Sequence, residues 1–197
     1  MSLEELQPHE LMQKVAGFFE SLMIYYRVVG SMASMAYGEP RLTIDIDMVA
    51  DLKIHHVVSL CANFTMPDYY LSESAVREAV LMNSQFNLIH IASGLKVDVF
   101  IPKRNEFNQS AASRIRRLRS EGEFDVWFGS PEDVLLNKRI YFQIGGGVSD
   151  KHLRDISGMM KLLRENLDRD YISRWAARLG VSDEWSQIQQ RVDADSA

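Results

Sequence analysis

Three aspartates and one glycine-serine turn are the groups in this chain best suited to hold a cation and an anion. The stretch Thr43-Ile44-Asp45-Ile46-Asp47-Met48-Val49 alternates polar and apolar side chains. In a strand, successive side chains point to opposite faces, so Thr43, Asp45, Asp47 and Val49 share one face and Ile44, Ile46 and Met48 the other. Two carboxylates at i and i+2 then stand about 7 Å apart. Both ionise only where water screens them or a positive charge lies between them. A hard divalent cation such as Mg2+ prefers carboxylate oxygen and suits the pair. An isolated Asp-x-Asp also reads as the solvent face of an ordinary strand. A third acid, Asp98, sits in Lys96-Val97-Asp98-Val99-Phe100, where a carboxylate within an apolar run is costly unless it is paired, metal-bound or on a solvent-facing edge. Gly30-Ser31 reads as a strand-to-helix turn. The free N–H groups at a helix N-terminus receive an anion, and glycine lets the backbone come close to it; an ordinary helix cap is the plainer reading.

The secondary structure around these residues is legible in outline. Apolar residues at helical spacing predict a helix over Glu4 to Leu22. Ile24 to Val29 reads as a strand, Met32 to Tyr37 as a short helix closed by Gly38, and Leu42 to Leu52 as a second strand. Helices are predicted over His55–Phe64 and Ser74–Met82. Phe86–Ala92 and Leu95–Ile101 form strands joined at Ser93-Gly94, a hairpin signal, and Glu123–Phe128 is one more strand. Beyond Ser130-Pro131-Glu132-Asp133, a well-formed helix start, only helices are expected: Pro131–Gln143, Ser149–Glu165, Asp168–Leu179 and Ser182–Val192, with Gly145-Gly146-Gly147 as a flexible joint. The predicted organisation is an α/β core over residues 1–128 followed by a helical C-terminal part over 129–197.

Composition bounds the function. The 197 residues are 46% hydrophobic and 25% charged, which predicts a packed core and excludes wholesale disorder. No apolar run approaches the roughly 20 residues needed to cross a bilayer. The acidic start Met1-Ser2-Leu3-Glu4-Glu5 and the single cysteine, Cys61, lead to the expectation of a reduced, soluble, cytoplasmic protein without membrane partners and without a multi-cysteine metal knuckle. The net charge of -5 weakens the case for a protein that coats nucleic acid non-specifically. The charge is uneven, however: Lys103, Arg104, Arg114, Arg116, Arg117 and Arg119 face one acid, Glu106, between Ile101 and Ser120.

Taken in order, Val29-Gly30-Ser31, a gap of thirteen residues, Asp45-x-Asp47 and then Asp98 flanked by apolar residues, the sequence resembles the nucleotidyltransferase superfamily typified by DNA polymerase β. The resemblance covers most of residues 24–180. The stretch from Val29 to Asp47, Ser130-Pro131-Glu132-Asp133-Val134-Leu135 with Lys138, Arg154-Asp155 and Trp175-Ala176-Ala177-Arg178-Leu179-Gly180 are similar to its small bacterial branch, which includes toxin-type enzymes of abortive-infection systems. The resemblance implies a polymerase β-like mixed sheet with flanking helices and a nucleotidyl transfer assisted by two Mg2+ ions, with Mn2+ as a substitute. It implies that Asp45, Asp47 and Asp98 are both catalytic residues and metal ligands, and that Gly30, Ser31, Arg41, Thr43 and Lys138 bind the nucleoside triphosphate. The acceptor it implies is an RNA, a tRNA end or a protein hydroxyl, with a cognate antitoxin as partner.

Other residues carry weaker signals. Arg114, Arg116, Arg117 and Arg119 read equally as a grip on an RNA backbone and as a solvated helix face. His55, His56 and His90 lack metal-ligand spacing. Tyr171, Trp175 and Leu179, and Met159, Met160, Leu162 and Leu163, read as core. Asp155 reads as a secondary acid of the site or as a surface ion pair. The competing functions are transfer to a small hydroxyl compound, as in aminoglycoside-modifying enzymes, and a non-catalytic nucleotide-binding or antitoxin-like module.

Overall fold

The computed structural model describes residues 6–119, 125–144, 150–182 and 185. The chain divides into two compact units. The first holds residues 1–29 and 43–128, the second residues 30–42 and 129–197. The glycine joint at 145–147 and the helix expected beyond Ser182 lie outside the described residues.

The first unit is built on one mixed sheet. Its strands are β1 (Tyr26–Val29), β2 (Asp45–Ala50), β3 (Tyr69–Tyr70), β4 (Gln85–His90), β5 (Lys96–Phe100), β6 (Arg116–Arg119) and β7 (Asp125–Phe128), in the spatial order β3-β4-β5-β2-β1-β7-β6. β2 runs antiparallel to β1 and parallel to β5. β4 and β5 form the hairpin expected at Ser93-Gly94, where Gly94 takes a positive φ of 69°. The period-2 alternation read in β2 is matched by its alternating burial, and β5, read as an apolar run, alternates in the same way. Ile46, Met48 and Ala50 join Val97, Val99, Phe86 and Leu88 on the buried face. Helix α1 (Pro8–Ser21) packs on β2, and its Phe19 ring lies against Tyr26. Helices α3 (Val57–Asn63) and α4 (Glu73–Met82) pack together, α4 against β4. Ser72 caps α4 by accepting from the Ala75 N–H. Helix α5 (Glu106–Ser113), capped by Asn105, was not expected from the sequence. Among the described residues no helix is long and apolar enough to cross a membrane.

The second unit is helical: α2 (Gly30–Tyr37), α6 (Pro131–Ile144), α7 (Asp150–Leu163) and α8 (Arg169–Leu179). α2 packs on α6 and α7, and α6 on α7 and α8. Residues 30–42, expected in the N-terminal part, thus belong with the C-terminal helices. Close approach explains part of this. A Cβ on Gly38 would come within 2.8 Å of the Ser34 carbonyl oxygen and 3.0 Å of Met159 Cγ, so only glycine lets the end of α2 meet α7. The start of α6 is tied down by buried polar bonds. Ser130 Oγ donates to Asp133 Oδ2 at 2.7 Å, and Tyr171 Oη of α8 donates to Asp133 Oδ1 at 2.7 Å. Tyr171, Trp175, Met159 and Met160 are buried as read from their spacing; Leu162, placed in the core by the same reading, is exposed.

Candidate active-site residues

The sheet brings the three aspartates onto one face. Asp45 and Asp47 alternate with buried Ile46 and Met48 on β2, and the parallel pairing of β2 with β5 sets Asp47 directly beside Asp98. Like charges directly opposite on neighbouring strands repel. The structure supplies a counter-charge that the sequence reading missed. Lys96, two residues before Asp98 and beside Asp45 in the register, places its Nζ 2.8 Å from Asp98 Oδ2 and 3.9 Å from Asp45 Oδ1. Its hydrogen bond to Asp98 makes the ammonium hold its proton more tightly than usual. Asn87 of β4, paired with Asp98 in the register, donates its amide to Asp98 Oδ1 at 2.8 Å once the amide is oriented to satisfy its neighbours. Asp98 is thus held from both sides and is 14% exposed, against 47% for Asp45. The period-2 rule applied to β5 would have found Lys96, since it shares the face of Asp98.

Whether a divalent cation fits can be judged from the donors. Among the described residues no three His, Cys, Asp or Glu side chains are drawn together into a cage for an ion, and the Lys96 ammonium stands where positive charge is needed. The donor chemistry fits: three carboxylates on adjacent strands exceed the one lysine by two negative charges, and all-oxygen donors are what Mg2+ selects. Thr43 spends its hydroxyl on the Asp45 carbonyl oxygen at 3.3 Å.

The other candidates gather in the second unit. Gly30 opens α2 with a φ of 62°, a left-handed conformation that favours glycine. Arg41, Lys138 and Ser31 meet around Asp155 of α7. Arg41 Nε and Nη2 grip Asp155 Oδ1 and Oδ2 at 2.8 and 3.0 Å, and Nη2 also donates to Ser31 Oγ at 2.6 Å. Lys138 Nζ donates to Asp155 Oδ2 at 2.6 Å, and Ser34 Oγ adds a bond at 3.3 Å. The side chains of Lys138 and Asp155 are each 4% exposed, so Asp155 is a buried ion-pair centre. Burial raises the Asp155 pKa, but the hydrogen bonds from Arg41 and Lys138 outweigh it and hold the carboxyl at about 2.

That depression makes an acid-limb prediction. The stability it contributes should be complete above about pH 4, where Asp155 is ionised even in the unfolded chain, and should be lost as the pH falls toward 2, where the folded carboxylate takes up its proton. The loss should be about 2 kcal/mol. Urea unfolding at pH 5 and pH 2.5 measures it; an Asp155→Asn variant with the same pH dependence as the wild type would contradict it.

The basic segment is not a helix face. Arg114 closes α5, and Arg116, Arg117 and Arg119 lie on β6, a strand at the edge of the sheet. Arg117 and Arg119 approach Asp125 at 3.6 and 3.7 Å, and the Arg117 guanidinium lies 5.5 Å from the Trp127 ring centroid. Charge along an edge strand also blocks its pairing with another sheet. The histidines make local bonds, His56 Nδ1 with the Lys53 N–H and His90 Nδ1 with Ser93 Oγ.

No family model matches the sequence, and no curated protein matches it either. Solved structures do. The chain is similar to the lincosamide antibiotic adenylyltransferase LnuA in its lincomycin-bound form, with a TM-score of 0.54 and 17% identity over 81% of this chain and 99% of that one. It is similar to an antigenic nucleotidyltransferase-like protein from Paracoccidioides brasiliensis, with a TM-score of 0.55 and 20% identity over 96% and 94% of the two chains. It is also similar to the antibiotic-resistance factor ANT(2'')-Ia, with a TM-score of 0.55 and 12% identity over 91% and 96%. The mixed α/β fold is that of nucleotidyltransferases, as the acid and Gly-Ser pattern led one to expect.

Proposed function

We propose that the chain is a metal-dependent nucleotidyltransferase, moving a nucleoside monophosphate from a nucleoside triphosphate to a hydroxyl acceptor. The observation that carries the reading is the pairing of Asp47 beside Asp98, with Asp45 on the same face, in a sheet of nucleotidyltransferase fold. Asp45, Asp47 and Asp98 would hold two Mg2+ ions, with Mn2+ as a substitute. Bound there, the ions supply charge neutralisation on the phosphoryl oxygens and a more acidic acceptor hydroxyl. The acceptor oxygen attacks the α-phosphorus, its bond to the oxygen bridging to the β-phosphate breaks, and pyrophosphate leaves. Asp98, oriented by Asn87 and Lys96, accepts the acceptor's proton. Gly30 and Ser31 receive the β- and γ-phosphates through backbone N–H and hydroxyl groups, with Arg41 and Thr43 beside them and Lys138 behind Arg41 on the shared Asp155 carboxylate. A non-catalytic module has no need of three acids packed onto one sheet face.

The acceptor reading we carry first is RNA, met by Arg116, Arg117 and Arg119 on the edge strand and by Arg114 at the end of α5; a role in a toxin–antitoxin pair belongs to the same reading. Replacing all four by Ala should flatten the salt dependence of RNA binding by up to about 3 in log–log slope and leave nucleotide binding unchanged. Unchanged RNA affinity would mark the strand as a guarded edge only. A second reading, transfer to a small hydroxyl compound, is supported by the likeness to LnuA, a lincosamide antibiotic adenylyltransferase, and to ANT(2'')-Ia, an antibiotic-resistance factor. Incubation with each radiolabelled triphosphate, together with Mg2+ and either cellular RNA, protein lysate or an aminoglycoside and lincosamide panel, separates the acceptors. Absence of both label transfer and pyrophosphate release in every arm would refute the enzyme.

A further inference from the structure

We propose that Asp155 is a positioning residue of the phosphate-binding set: it fixes Arg41 as the cation that meets the polyphosphate, and Lys138 acts through Asp155 rather than on the ligand. This deepens the phosphate-binding reading above and rests on it. Lys138 and Asp155 are each 4% exposed, whereas Arg41, at 19%, is the most open charged member of the cluster. The bonding order agrees. Lys138 Nζ ends on Asp155 Oδ2, and Asp155 presents both oxygens to the flat edge of Arg41, the two-point geometry that holds a guanidinium in one orientation. Arg41 in turn donates to Ser31 Oγ through Nη2 and to the Leu42 carbonyl through Nη1 at 3.2 Å. Of its five N–H groups, these bonds direct four, leaving one on Nη1 to donate. Ser31 Oγ, accepting from Arg41, keeps its own hydrogen to donate. An arginine already held in this way gives up little side-chain freedom when the phosphate arrives.

The test is calorimetric titration of the full chain with inorganic tripolyphosphate, alongside steady-state kinetics with the preferred triphosphate. Asp155→Asn should weaken tripolyphosphate binding about tenfold and raise KM by a like factor with kcat within about twofold. The same substitution in an Arg41→Ala background should change nothing further, because the two act as one unit. Arg41→Lys keeps the charge but loses the two-point grip; it should bind about tenfold more weakly, and it keeps the test decisive if Asp155→Asn does not fold. Wild-type affinity in Arg41→Lys, or an Asp155→Asn effect that persists without Arg41, overturns the positioning role. Further weakening by Lys138→Met in the Arg41→Ala background places Lys138 on the ligand and overturns it as well. A wild-type chain that binds neither tripolyphosphate nor any nucleoside triphosphate refutes the phosphate-binding reading itself, and the inference with it.

Discussion

Asp47→Asn should lower nucleotidyl transfer by about 100- to 1,000-fold or more, the cost of deleting one preorganised electrostatic stabiliser of the transition state. The fold should hardly notice. Asp47 lies beside Asp98 on the polar face of the sheet, and opposed like charges cost a sheet about 0.2–1 kcal/mol. Stability in metal-free buffer should therefore stay within about 1 kcal/mol of wild type. Asn preserves the shape and one acceptor oxygen, so the comparison isolates charge. Asp98→Asn is a less clean probe, because it also weakens the 2.8 Å bond from Lys96. Pyrophosphate release and a thermal melt on the same sample decide the matter: a variant that melts like wild type and retains full turnover would remove Asp47 from the mechanism.

Asp155→Ala should do the reverse, with its largest effect on stability. It removes the carboxylate that Arg41 and Lys138 share inside the helical unit. Taking one partner from a buried ion pair costs about 3–5 kcal/mol, because the remaining charge stays desolvated. Removing both charges relieves most of that penalty, so Asp155→Leu with Lys138→Met should regain much of the loss. Urea unfolding followed by circular dichroism gives the three values. A loss below about 1 kcal/mol for Asp155→Ala would show that the cluster is far better solvated than its 4% exposure implies.

The contrast between these residues also shows what a sequence can carry. Asp45, Asp47 and Asp98 were legible because strand periodicity is local: each neighbour along the chain reports which face a side chain takes. The turn at Gly30 and the cap at Ser130 were legible for the same reason, each being written within four residues. Asp155 was not. Its partners lie 114 and 17 residues away, and only helix packing brings them together. Lys96 is legible by the same period, lying two residues before Asp98 on β5 and so on its face. The arginine run misled because Arg116–Arg119 has no clear period, and its strand state comes from pairing with β7. Strand β3 is two residues long and exists only against β4.

The excursion of residues 30–42 into the helical unit has a consequence for inheritance and engineering. The polypeptide leaves the sheet after β1, contributes α2 to the helices and returns for β2. Neither unit is therefore a contiguous segment. A fragment ending at Phe128 would carry α2 without α6 and α7, baring Ala33 and Ser34, which are buried in the whole chain. A fragment beginning at Gly129 would lack the helix that α6 and α7 enclose. Grafting a different C-terminal module onto this sheet would demand a matching exchange of the loop between β1 and β2, so recombination at a single crossover should yield insoluble chimeras, and viable shuffling should require two coordinated joins.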